Sequence, residues 1–348
     1  MTNLRERDSG SQLMRNTLLG MSMNFILARA IHVAASLGIA DALVNGARTA
    51  EDLARENGTH APSLRRLMRA LTTCGVFTEL EYGCYALNAQ SRLLCRDAPD
   101  SVRDFVLYLG CEWQTDAWSD LLGTVRTGLS YPRRYTGLAV FDHFAADAAV
   151  GQLFERSMTE STAAHAQAIA SHCNLNGARV IADIGGGDGT LLAAFLSRNP
   201  DARGILVERG SCIAAAREAF RGGALASRCE FIEADIFSDA WPAADAYLLK
   251  NVLHDWDDSS ATQILRIGRQ SVALASTLFI IEALLGSGRI RPHEAFMDLS
   301  MLLLTGGRER SEAEFRALLG DTGFNLAKAT QTGTPFVVLE ATADVRSP

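Results

Sequence analysis

The run Val180-Ile-Ala-Asp183-Ile-Gly185-Gly186-Gly187-Asp188-Gly189-Thr190 decides the fold. Arg179 to Ile184 has the length and apolar content of a buried strand, and a helix pattern opens at Thr190. Between them, glycines let the backbone turn tightly and approach a ligand with no Cβ in the way. Working downstream, Gly204 to Val207, Glu230 to Glu233, Ala246 to Lys250 and Thr277 to Ile281 read as further strands. Helical segments from Thr190, from Cys212 and over Ser260 to Val272 separate them. Strands alternating with helices predict an α/β fold with a doubly wound, Rossmann-like parallel sheet. Two last runs, Gly323 to Thr330 and Pro335 to Ala341, lie close enough in sequence to pair antiparallel at an edge.

Upstream of residue 178 the pattern is mainly helical. From Leu13 to Leu37 apolar residues fall on almost every face, which requires a covering surface, and a partner subunit is the expected cover. Thr49-Ala-Glu-Asp starts a helix with a hydroxyl cap and acidic first turn, ending near Gly58. Pro62 opens a second helix, Ser63 to Cys74, with Leu64, Leu67, Met68 and Leu71 on one face and Arg65, Arg66 and Arg69 on the other. Val76 to Leu80 and Tyr85 to Leu87, around Glu81-Tyr82-Gly83, form a candidate hairpin, and helix, helix, hairpin is the order of a winged helix. The expected domains are 1–100 (winged helix), 101–177 (helical linker and substrate-pocket region) and 178–348 (the sheet domain).

A winged helix can bind DNA, but 11 arginines against 10 acidic residues up to position 100, and a net charge of −7 over 348 residues, give no strong phosphate footprint. Nucleic acid is not an expected partner; a winged-helix regulator with a sensor domain is the alternative from another functional class. The seven cysteines are scattered and never in a CxxC pair, which argues against zinc and disulfide scaffolds and fits reduced thiols in a cytoplasm. The run Leu274 to Leu285, taken as the most apolar, is too short to span a bilayer, so neither a transmembrane helix nor a membrane partner is expected. The first residues lack the apolar core of a secretory signal.

The glycine loop departs from a dinucleotide fingerprint, since Thr190 stands where the third glycine belongs, and reads D-x-G-x-G-x-G instead. A pyrophosphate favours the positive end of a helix; Asp183 and Asp188 around the loop suit a cation such as the sulfonium of S-adenosylmethionine. Glu208 closes the second strand, where a carboxylate can accept both ribose hydroxyls. Asp235-Ile236-Phe237 follows the third, where a carboxylate can take the adenine amino group and an aromatic can cover the ring.

Lys250-Asn-Val-Leu-His254-Asp-Trp-Asp-Asp258 leaves the carboxyl edge of the fourth strand, where ligands bind in open sheets. His254 is the natural general base, because an imidazole titrates near neutrality. Glu282 ends the fifth strand at the same edge and Glu309 sits in Gly306-Gly-Arg-Glu-Arg310; two carboxylates beside His254 would favour its imidazolium. A metal held by His254, Asp255, Asp257 and Asp258 is the weaker reading. Ser260-x-x-Gln263 reads as a capping box, which makes Asp257 and Asp258 ordinary helix-start acids. Lys250, one of only two lysines, is expected to approach the cofactor from the strand end.

VIADIGGGDG, the acid at 208, ADIF, LKNVLHDWDD, Glu282, MDLSML and GGRERS occur together in the order found in S-adenosylmethionine-dependent small-molecule O-methyltransferases. The chain resembles the plant caffeate-type family and its bacterial natural-product branch over nearly its whole length. That resemblance implies a homodimer joined through the N-terminal winged-helix domain, and methyl transfer to a phenolic hydroxyl of an aromatic bacterial secondary metabolite. It makes His254 the base, with Glu282 and Glu309 flanking it. Asp183, Gly185, Gly187, Glu208, Asp235, Ile236, Phe237 and Lys250 would line the cofactor site, and Phe154, Met158, Met301 and Leu304 the acceptor pocket. Some relatives keep the cofactor but hydroxylate or decarboxylate, which is a second enzymatic outcome. Two departures stand out: Glu208 replaces the usual Asp, and Arg209-Gly210-Ser211 replaces a Leu-Pro segment.

Overall fold

The computed structural model describes residues 2–81, 83–175, 177–286 and 290–344, and the chain divides into two compact units at Gln114/Thr115. In the first unit a long helix, Thr2–Ser36, precedes strand β1 (Arg48–Thr49), helices Ala50–Asn57 and Ala61–Thr73, and a hairpin of β2 (Thr78–Glu79) and β3 (Cys84–Ala86). β3 pairs antiparallel with both β1 and β2. Thr49 caps its helix by accepting from the Asp52 amide, and Gly58 ends it with φ 63, as the hydroxyl and glycine predict. Ile39, Leu53, Met68, Leu71 and Tyr85 close a small core.

The long helix corrects the choice of Leu274 to Leu285 as the stretch to measure against a bilayer. Ser11–Ser36 is long and apolar enough, by length and composition alone, to cross a membrane. Asn16, Thr17, Ser22 and Asn24 interrupt it, so it shows no unbroken apolar run, whereas Leu274 to Leu285 does come close to one. Only its last turns, with Ala34 and Ala35, enter the core; Met14, Leu18 and Phe25 are about two-thirds exposed.

The second unit is organised by a seven-stranded sheet. In chain order its strands are β4 (Val180–Ile184), β5 (Arg203–Glu208), β6 (Cys229–Glu233), β7 (Ala246–Lys250), β8 (Thr277–Glu282), β9 (Phe324–Gln331) and β10 (Val337–Ala343). Their order across the sheet is β6-β5-β4-β7-β8-β10-β9. β4 to β8 are parallel, and β10 runs antiparallel between β8 and the edge strand β9. Central strands covered on both faces should be apolar throughout; Ala246 to Leu249 are all buried. The chain steps outward from β4 through β5 to β6, then returns to place β7 on the other side of β4. That reversal opens a crevice beyond the carboxyl ends of β4 and β7, the place where ligands sit in such sheets. The helices from 115 to 177 belong to the same unit as the sheet.

Candidate active site

On the β4–β6 side, the backbone does much of the positioning. The glycine loop is left-handed at Gly185, Gly187 and Gly189. A Cβ at Gly186 would lie 2.5 Å from the Asp183 carboxyl carbon and from Leu206, so the loop can fold over β4 only without one. At Gly187 a Cβ would meet nothing within 4 Å, leaving this stretch of backbone facing open space. Glu208 ends β5 and accepts the Gly187 amide at 3.1 Å and the Arg209 amide at 2.8 Å. Burial pushes its pKa up against those two amides. A carboxylate has further lone pairs, so Glu208 keeps capacity for hydroxyl donors. Asp235 is exposed and accepts the Phe237 amide at 2.9 Å. Ile236 and Phe237 are half-buried, and Phe237 packs edge-on against Trp256, with ring centroids 4.6 Å apart.

Asp188 does not join Asp183. Its carboxylate binds the Thr190 amide at 3.0 Å and the Thr190 hydroxyl at 2.9 Å, tying down the helix entry. Asp183 is fully buried with both oxygens lacking a hydrogen-bond partner among the described residues, and burial together with Glu208 raises its pKa to about 7. An orphaned buried carboxylate beneath a glycine cradle fits a cationic ligand.

On the β7–β8 side, three buried side chains from separate segments converge. His254 Nδ1 is 2.9 Å from Glu309 Oε1 and 3.6 Å from Glu282 Oε2, and its Nε2 is 3.8 Å from Asp255 Oδ1. Glu282 is anchored by accepting the Leu253 amide at 3.0 Å. Burial works against the imidazolium, but Glu282, Asp255 and Glu309 outweigh it and raise the His254 pKa to about 10. Burial in turn raises the pKa of Glu282, against the pull of His254. With Nδ1 bound to Glu309, Nε2 is the atom left to exchange a proton.

The loop that carries Glu309 is set by groups the sequence did not reveal. Gly306 is left-handed, and a Cβ at Gly307 would overlap the carbonyl oxygen of His254. The Arg308 amide donates to that same carbonyl at 2.9 Å, and the Glu309 amide donates to Asp298 Oδ1 at 2.9 Å. Arg310 is almost wholly buried; it donates to the carbonyls of Leu253 at 2.8 Å and Trp256 at 2.9 Å and to Asp258 at 2.9 Å. It thus staples the two loops that hold His254 and Glu309 together.

Two sequence readings change here. The helix Asp258–Ser271 is capped by Asp257, which accepts the Ser260 amide at 2.8 Å, and not by a Ser260–Gln263 box. Gln263 instead donates to the Phe237 carbonyl at 2.9 Å, away from the helix end. Asp258 is drawn off by Arg308 and Arg310, so the four-residue metal grouping around His254 loses two donors.

Lys250 ends β7 half-buried, with Nζ 4.7 Å from the Phe336 ring centroid. Burial lowers its pKa to about 8 against the opposing pull of Glu282 and Asp183. Phe154 reaches the site through other rings: it packs on Phe144 at 4.9 Å and Phe141 at 6.1 Å, and Phe141 lies 5.7 Å from Trp256. Met158 is half-buried one turn beyond Phe154 on the helix Ala148–Ala163. Met301 and Leu304 are buried on the helix Pro292–Leu304, which runs directly into the Glu309 loop.

Residues 118–325 match the family model of the O-methyltransferase domain, and residues 19–97 match that of the O-methyltransferase dimerisation domain. The chain belongs to the O-methyltransferase family. It is an S-adenosylmethionine-dependent enzyme of that family. This O-methyltransferase is 39% identical to the mitomycin biosynthesis 6-O-methyltransferase of Streptomyces lavendulae, over 88% of each chain. Its structure is similar to that of the mitomycin 7-O-methyltransferase MmcR, with a TM-score of 0.90 and 37% identity, covering 96% of this chain and 99% of the other. A second similar structure is NcsB1, an O-methyltransferase from neocarzinostatin biosynthesis. It was solved with S-adenosylmethionine and 2-hydroxy-5-methyl naphthoic acid, has a TM-score of 0.78 and 31% identity, and covers 91% of this chain and 96% of the other.

Proposed function

We propose that this O-methyltransferase acts on a phenolic hydroxyl of an aromatic bacterial secondary metabolite, with His254 as the general base. The observation that carries this reading is the 2.9 Å contact between His254 Nδ1 and Glu309, backed by buried Glu282. It fixes the ring and leaves Nε2 as the proton acceptor. When bound, S-adenosylmethionine supplies a methyl group on sulfonium, a leaving group good enough that alignment and a proton acceptor carry the rest. From the neutral form of His254, Nε2 takes the phenolic proton as the oxygen gains the methyl group. Glu282 and Glu309 balance the imidazolium that results.

In the resting site Glu282, Asp255 and Glu309 favour the imidazolium of His254 against the effect of burial. His254 sheds its proton more readily once a cation is seated beside the cluster, because like charge disfavours the imidazolium. Glu208 takes the ribose hydroxyls and Asp235 the adenine amino group, with Ile236 and Phe237 against the ring. Asp183, Gly185 and Gly187 line the amino-acid end, and Lys250 closes the strand edge behind it. Phe154, Met158, Met301 and Leu304 form the apolar wall for the acceptor. The exposed apolar face of Ser11–Ser36 is covered by a second copy of the chain, consistent with the dimerisation domain.

A mass-spectrometric screen of phenolic acceptors with the cofactor tests the activity. Addition of one methyl group to a phenol supports it; turnover only of amines, or cofactor-dependent hydroxylation without methylation, overturns it. The donor atoms of His254, Glu282 and Glu309 lie within 4.8 Å of one another, a spacing that would admit a divalent metal as second reading. Inhibition by EDTA, reversed by added metal, selects it.

A further inference from the structure

The turn between Lys250 and His254 is made by Asn251, which has no part in the reading above. Among the described residues it is the one non-glycine with a left-handed backbone, φ 53; every other positive φ belongs to a glycine. If conformation alone mattered here, glycine would serve better. Its carboxamide oxygen, Oδ1, is buried and has no hydrogen-bond partner among the described residues. A buried acceptor without a donor is costly, so the position calls for a donor from outside the chain.

Where the turn sits says which donor. The Asn251 amide donates to the Ile281 carbonyl at 3.1 Å, which holds the residue at the carboxyl edge of the sheet, one position before Glu282. On its other side β4 and β7 run in register through Asp183 opposite Leu248. Val252 lies 3.0 Å from where a Gly185 Cβ would be, so the turn rests against the glycine loop. Asn251 therefore stands beside the glycine loop, across the sheet from Asp235.

We propose that Asn251 Oδ1 accepts a hydrogen bond from the α-ammonium group of the cofactor, making Asn251 a specificity determinant for its amino-acid end. The proposal rests on the cofactor seat described above.

Calorimetry with three probes tests it: S-adenosylmethionine, S-adenosylhomocysteine and 5′-methylthioadenosine, which keeps the nucleoside and sulfur but lacks the amino-acid tail. Asn251→Gly suits the turn and removes only the carboxamide. It should weaken binding of the first two by about tenfold or more, the scale of one hydrogen bond to a charged group. Methylthioadenosine should bind the variant as it binds wild type, and Asn251→Asp, which keeps an acceptor oxygen, should retain affinity for all three. Unchanged affinity of Asn251→Gly for S-adenosylhomocysteine, or an equal loss for methylthioadenosine, would show that Asn251 serves the turn alone. Wild type that binds none of the three would remove the cofactor seat, and this proposal with it.

Discussion

The two halves of the crevice are held in different ways. On the β4–β6 side, Glu208 and Asp235 accept backbone amides from Gly187, Arg209 and Phe237, and Asp235 is open to solvent. Two of those three contacts are made within two residues of the acid. On the β7–β8 side, His254, Glu282 and Glu309 are buried, come from segments far apart in sequence, and satisfy chiefly one another. Glu282 Oε2 and Glu309 Oε2 have no hydrogen-bond partner among the described residues. A rim built from local backbone contacts can lose a side chain and still fold. A buried charge cluster cannot change one member without moving the protonation of the rest. The rim is suited to binding, and the cluster to proton transfer.

The largest effect that would break this contrast is expected at Arg310, which belongs to the cluster only as its staple. Arg310→Met keeps the bulk but orphans the Trp256 carbonyl and leaves the Leu253 carbonyl only the Trp256 amide at 3.3 Å; a buried carbonyl left unpaired costs about 1–3 kcal/mol. Denaturant unfolding should show a loss on the order of 3 kcal/mol, and a stability within error of wild type would mean the loops hold themselves. Next in size is Glu208→Ala on the rim. It should weaken S-adenosylmethionine by about 1.5–3 kcal/mol through the lost ribose contact while leaving the rate at saturating cofactor nearly intact. A fall in kcat as large as the fall in affinity would erase the distinction between rim and cluster.

The smallest effect is a displacement rather than a loss. The carboxylates raise the His254 pKa, so its base form gains population as pH rises toward that value. Glu282→Gln removes a negative charge, lowers the His254 pKa and should move the rising limb of the kcat–pH profile to lower pH. An unmoved limb would show that Glu282 does not act on the histidine. His254 also links the cluster to stability. A folded pKa raised from the ordinary 6.5 stabilises the fold fully below pH 6.5, and that contribution is lost as pH climbs toward about 10.

Much of this was legible in the chain because it is local. Each strand of the parallel sheet lies within one or two residues of its apolar run, and the Thr49 and Gly58 helix signals act where the sequence puts them. The acidic ends of β5 and β8 could be read as facing one crevice because parallel strands share a carboxyl edge. What stayed hidden depends on distant partners. Asp257, Asp258, Ser259 and Ser260 can each cap a helix; the choice is influenced by Arg308 and Arg310, some fifty residues on, which engage Asp258. Arg310 looks like any surface arginine until the fold buries it, and Asp298 shows no sign in sequence that it will receive the Glu309 amide. The apolar helix was legible from Leu13 to Leu37, but the small polar residues along it kept it from reading as the most apolar stretch.

The central claim is that the buried cluster moves a proton, and His254→Ala tests it most directly. On a phenol whose pKa lies well above the assay pH, methyl transfer should fall by on the order of 10²–10⁴-fold, the contribution of a positioned acid–base group. The affinity for S-adenosylhomocysteine should stay close to wild type, because the glycine loop, Glu208 and Asp235 lie on the other half of the crevice. Turnover within a few-fold of wild type on that phenol would leave alignment alone as the source of the rate and would contradict the account.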